Sequence, residues 1–88
     1  MRIELSSSFK KSFKKIASRK PELAIITLEK ILLFSVDPYS PSLKFHKLKG
    51  KLDGLWSFSV ENDLRILVDL IKDDIALLVI IGTHDEVY

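Results

Sequence analysis

Midway along this chain the hydrophobic period changes, and that change limits the possible folds more than any other feature. Up to Phe34 the apolar residues recur at helical spacing; from Trp56 onward they alternate with polar ones. Pro38 and Pro41, with Tyr39 and Ser40 between them, mark the break as an irregular loop. Helices followed by strands imply an α+β fold, with a helix pair packed on one face of a mostly antiparallel sheet.

Within the first half, Ile3 and Leu5 alternate with Arg2 and Glu4, a short strand signal. Ser6, Ser7 and Ser8 offer capping oxygens for a helix that begins near Phe9. Phe9, Phe13, Ile16 and Ala17 share one face of that helix, and Lys10, Lys11, Lys14 and Lys15 turn outward. Pro21 ends it and suits the first turn of the next helix. Residues Glu22 to Phe34 are apolar nearly all round, so this second helix is expected to be covered on more than one side. In the second half, Trp56, Phe58 and Val60 alternate with Ser57, Ser59 and Glu61. Glu61-Asn62-Asp63 makes a turn, and Leu64, Ile66, Val68 and Leu70 then share a face opposite Arg65, Leu67 and Asp69. After a second turn at Lys72-Asp73-Asp74, the unbroken apolar run Ile75–Ile81 reads as a central strand covered on both faces. Gly82 is expected to end it and to leave Thr83–Tyr88 as a polar tail. The expected order is β-α-α-β-β-β, with residues 1–88 as one small domain.

Composition then narrows the chemistry. The chain has no cysteine, hence no disulfide, thiolate metal site or thiol nucleophile. Two histidines alone do not make a structural zinc site. No phosphate-binding glycine loop and no GxSxG elbow is present, and no apolar run is long enough to span a membrane. The N-terminus lacks the apolar run of a signal peptide. The net charge of +2 hides a gradient: seven bases against one acid in residues 1–20, but two bases against eight acids in residues 53–88. A basic first half suits a polyanion, although a basic helix face is by default a solvated one.

What remains is a set of ionisable residues at strand ends: His46 with Lys47 and Lys49, then Asp63 and Arg65, then His84. Imidazoles, a carboxylate and cations suit phosphodiester cleavage by a 2′-hydroxyl, with one group removing a proton, another donating one, and cations stabilising the phosphorane. That scheme needs no metal and no cofactor. Each residue also has a plain structural reading. Asp63 is common at turns, Arg65 can be a solvated strand residue, and Lys47, Lys49 and Lys51 can be edge-strand charges.

The run His46-Lys47-Leu48-Lys49-Gly50, then Gly54, Asp63-Leu64-Arg65-Ile66-Leu67 and the ending Gly82-Thr83-His84-Asp85-Glu86-Val87-Tyr88, resembles the RelE/ParE toxin superfamily of type II toxin–antitoxin systems. It is most similar to the YafQ branch. The resemblance implies a RelE-like fold and a cytoplasmic, ribosome-dependent endoribonuclease that cuts mRNA in the A site. It also implies a cognate antitoxin as partner, with ribosome and mRNA as the other partners and no membrane. The catalytic positions of the family fall on His46, Asp63, His84 and Tyr88, and a phosphate-binding arginine falls on Arg65. Lys47, Lys49, Lys51 and Ser59 are expected beside the RNA phosphates, and Lys10, Lys11, Lys14 and Lys15 against the ribosome. Two positions depart from the pattern: Ser59 stands where YafQ-like enzymes have a histidine, and Leu64 where they have a tryptophan. Two alternatives therefore stay open: a ParE-like inhibitor of DNA gyrase, and a RelE-like protein that binds without cutting.

Overall fold

The computed structural model describes all 88 residues. The elements run β1 (Arg2–Leu5), α1 (Ser7–Arg19), α2 (Pro21–Val36), β2 (His46–Lys47), β3 (Trp56–Glu61), β4 (Leu64–Lys72), β5 (Ile75–Thr83) and α3 (His84–Val87). The five strands form one sheet in the order β1-β5-β4-β3-β2. β1 lies parallel to β5, and every other pairing is antiparallel. This is the α+β arrangement expected from the change of period, with a short N-terminal strand, two helices and then the sheet.

Local chemistry explains most boundaries. Ser6 caps α1 by accepting the Phe9 N–H at 2.9 Å, and its own hydroxyl donates to the Val79 carbonyl at 2.6 Å. Pro21 opens α2, where its missing N–H costs nothing. Asn62 adopts a left-handed conformation (φ 47°) in the β3–β4 turn, which asparagine tolerates better than most side chains. α1 and α2 cover one face of the sheet. Phe34 from α2 stacks on Phe58 from β3 with ring centroids 4.5 Å apart, and Phe9, Ile66, Val68 and Leu78 complete the centre of the core. Thr27 is buried there, its hydroxyl donating to the Leu23 carbonyl one turn back.

Three features differ from the sequence expectation. α2 is not covered all round: Phe34 is fully buried, but Ile25, Leu28, Leu32 and Val36 form an exposed stripe, with Leu32 68% and Val36 81% accessible. The two helices lie in a single layer, and nothing in the chain packs over them. β5 does not stop at Gly82 but continues to Thr83, and the segment after it is a helix rather than a free tail. β2, a two-residue strand, is too short to show any period.

β1 pairs with β5 only from Ile75 to Leu78. Beyond that point the open edge of β5 is closed by a side chain, as the Ile81 N–H donates to Ser12 Oγ of α1 at 3.1 Å.

Candidate active site on the sheet face opposite the helices

Strand pairing assembles the site. Residues directly opposite one another in a sheet point to the same face. The register aligns His46 with Ser57, Ser57 with Leu67 and Leu67 with Ile80. The next rung aligns Ser59 with Arg65 and Arg65 with Gly82. Phe58 and Ile66, between these rungs, point into the helix-covered core. His46, Ser57, Ser59 and Arg65 therefore share the other face.

α3 closes over one end of that face. Gly82 makes this possible, because a Cβ there would stand 3.0 Å from Val87 Cγ1 and 3.1 Å from Glu86 Cβ. One turn of helix sets the His84 and Tyr88 rings edge to face, with centroids 4.5 Å apart and planes at 83°. From the end of β5, Tyr88 reaches past β4 to β3, where its hydroxyl donates to Ser57 Oγ at 2.6 Å. The last residue of the chain is thus held at both ends of its side chain.

Each polar group has a defined orientation. His46 Nδ1 lies 2.8 Å from the Lys44 carbonyl. A carbonyl only accepts, so Nδ1 carries the hydrogen, and in the neutral ring the exposed Nε2 keeps a free lone pair. Arg65 donates from Nη1 to Ser59 Oγ at 3.1 Å, while its buried Nε–H has no partner. The guanidinium is thereby fixed on the face, with its Nε shielded from solvent. His84 Nδ1 lies 3.6 Å from a carboxylate oxygen of Asp85.

The other expected site residues are distributed differently. Asp63 is exposed in the β3–β4 turn and lines a groove of about 350 Å³ with Lys20, Glu22 and Thr83. No hydrogen bond or ion pair joins it to either histidine. Lys47 pairs with Trp56 and so emerges on the opposite face of β2 from His46. Lys49 and Lys51 are exposed in and beside a short helical turn, Gly50–Leu52. Lys10, Lys11 and Lys14 are exposed on α1, in the helix layer. Lys15 instead lines a cleft of about 600 Å³ at the open edge of β5, together with Ser12, Arg19, Lys20, Thr83 and Glu86.

Two residues of this region escape a reading of the sequence. Ser57, fully buried, looks like a routine outward residue of an alternating strand, since the ring that covers it lies 31 positions away. Glu86 accepts the Thr83 N–H at 2.8 Å in a capping box, and the pattern Thr83-His84-Asp85-Glu86 is the signal that could have revealed α3. No group of three or more His, Asp or Glu side chains converges as a metal ion would require.

Solved structures of similar shape include bacterial toxins. A copper-bound mutant toxin from Helicobacter pylori is 28% identical over all of this chain and 99% of that one, with a TM-score of 0.81. The YafQ chain of the DinJ–YafQ complex from Escherichia coli shares the fold at 24% identity, again over 100% and 99% of the two chains, with a TM-score of 0.73. A YoeB/ParE toxin from Agrobacterium tumefaciens has the same fold at 15% identity and a TM-score of 0.79, over 96% of this chain and 99% of that one. A sequence comparison with curated proteins gives no match. The family model for YafQ, the bacterial toxin of type II toxin–antitoxin systems, matches residues 1–88, and the chain belongs to that family.

Proposed function

We propose that this toxin is a ribosome-dependent endoribonuclease that cleaves mRNA in the A site, acting as a single domain over residues 1–88. The observation that supports this reading most is the grouping of His46, Arg65, His84 and Tyr88 on one sheet face, with His46 Nε2 free and the Arg65 guanidinium held by Ser59. In the proposed reaction His46 Nε2 takes the proton of a ribose 2′-hydroxyl. The 2′-oxygen attacks the adjacent phosphorus, the bond from phosphorus to the 5′-oxygen breaks, and protonated His84 gives its proton to that oxygen. The products are a 2′,3′-cyclic phosphate and a 5′-hydroxyl end. Arg65 binds the non-bridging phosphate oxygens and stabilises the charge that develops on them. The Tyr88 ring, fixed by Ser57, supports His84 and offers an exposed surface to a base.

Lys49 and Lys51, beyond β2, extend this surface toward the RNA phosphates, Lys47 emerges on the other face of β2 and lies outside it, and the α1 lysines face rRNA. Asp63 is the member of the expected set that the geometry favours least, because it stands at the end of the sheet without a bond to either imidazole. A cognate antitoxin is proposed as the neutralising partner, since the E. coli YafQ is crystallised with DinJ. The cytoplasm is the proposed location; no helix is long and apolar enough to cross a membrane.

A second reading, binding without cutting, draws on Ser59 in place of a histidine. In this chain, however, the Ser59 hydroxyl accepts from Arg65 and helps to orient it. A ParE-like gyrase inhibitor would need no acid–base pair at all. One experiment separates the three: translation of a defined mRNA with and without ribosomes, mapped by primer extension, beside a gyrase supercoiling assay. The expected outcome is new 5′ ends that appear only with ribosomes. His46→Ala and His84→Ala should each slow single-turnover cleavage by ~10²–10⁴, and Asp63→Ala by less. Intact mRNA with arrested translation would favour binding alone, and loss of supercoiling would favour the gyrase reading.

A further inference from the structure

α3 has little reason of its own to form. Its four residues are too few for a stable isolated helix, and Val87 is its single aliphatic side chain. Its order comes from its attachments. Val87 packs on Gly82, the Tyr88 hydroxyl reaches Ser57, and Glu86 accepts the Thr83 N–H. The first two hold the far end of the helix. The Glu86 bond acts at the near end, where His84 is the first helical residue, and the Tyr88 N–H closes the turn onto the His84 carbonyl at 2.9 Å.

We infer that Glu86 is a positioning residue for His84 and Tyr88: by accepting the Thr83 N–H it sets the first turn of α3, and so aims the imidazole and the ring one turn later. The effect on cleavage rests on the function proposed above; the effect on ring geometry does not. Glu86 is turned away from the reacting groups. It lines the cleft at the open edge of β5, where Lys15 and Arg19 of α1 face it. The Thr83 bond first, and those cations to a smaller extent, keep the carboxylate charged, which strengthens its hydrogen bond to the backbone N–H. β5 is paired to β4 up to Thr83, so the anchor itself belongs to the sheet and does not move with the helix.

The test compares Glu86→Ala, which removes the acceptor, with Glu86→Gln, which keeps a side-chain oxygen for the same N–H. The first readout is the ring-current shift that the edge-to-face pair imposes on the His84 and Tyr88 ring protons, measured by NMR on the isolated protein. Glu86→Ala should move these resonances toward those of an unstructured peptide, and Glu86→Gln should restore most of the native shifts. The second readout is cleavage of ribosome-bound mRNA. There Glu86→Ala should lower kcat by about 10-fold with KM nearly unchanged, and Glu86→Gln should recover at least half of the rate. Native ring shifts in Glu86→Ala would overturn the inference. So would a Gln variant no better than the Ala variant in both readouts. If the wild type cuts no mRNA the function proposed above fails, but the ring shifts still decide the role of Glu86.

Discussion

Tyr88 donates its hydroxyl to a serine that is fully buried, so the two partners stand to lose different amounts. Removing the donor leaves Ser57 Oγ out of reach of water, whereas removing the serine leaves a half-exposed phenol free to turn outward. Tyr88→Phe should therefore cost about 1–2 kcal/mol in denaturant unfolding, and Ser57→Ala less. The double substitution should cost clearly less than the two added together, because both remove the same bond. Strict additivity would mean that the contact contributes nothing to stability. This pair also shows what could be read from single residues and what could not. His46 and His84 stand out because they are the two histidines of the chain, and Arg65 and Tyr88 because of the runs in which they sit. Ser57 does not, because a serine on the polar face of a strand announces nothing about a ring that arrives from the other end of the sequence.

Elements follow the same logic of length. α1, β3 and β4 repeat their period often enough to declare themselves, α2 and β5 are read from the length of their apolar runs, and the Pro38–Pro41 loop separates the two kinds. β2 and α3 are too short to repeat a period, yet they carry His46 and His84. α2 misleads in another way: its composition suggests burial on several sides, but a single layer of two helices covers only the side that faces the sheet. The seating of α3 gives a test of its own. Gly82→Ala would push a methyl against Val87 and Glu86, so α3 should be displaced and cleavage reduced at least 10-fold. The cost in unfolding free energy should stay near 1–3 kcal/mol, since the core on the other face is untouched. Wild-type cleavage in that variant would mean that α3 can shift without consequence. The same element has a defined pH behaviour. The Glu86 carboxyl lies below its ordinary 4.5, chiefly through the Thr83 N–H bond, then the Thr83 side chain, with Lys15 and Arg19 adding to the effect. A lowered value means that the contribution of the charge to this bond is complete above about pH 4.5 and is lost as pH falls through the lower folded value, leaving the neutral acceptor that glutamine would also supply. The Thr83 N–H resonance, which reports that bond directly, should therefore be constant from pH 7 to 5 and move only in stronger acid, by less than Glu86→Ala moves it at pH 7. Lys15→Gln with Arg19→Gln should bring that change to higher pH.

Taken whole, the molecule carries its proposed contacts on two sides. Lys10, Lys11 and Lys14 lie in the helix layer, while His46, Arg65 and His84 lie on the far side of the sheet. Replacing the three lysines with Gln should lower ribosome affinity and reduce the slope of log affinity against log salt by about two to three units, with the cleavage rate at saturation unchanged. An unaltered slope would make them a solvated face and assign the contact to the β2 edge. The sheet order carries a separate consequence for how such a toxin comes into being. β5 is made after every other strand, yet it sits between β1 and β4 and joins residues near 75 to residues near 2. A nascent chain thus holds its helices and most of its strands for the whole of its synthesis without the strand that unites them, and closing so long a loop is slow. His84 and Tyr88 follow even that strand. A chain that ends before Ile75 lacks β5 and both rings that α3 positions, so the sheet face proposed for catalysis is assembled only after β5 has been made.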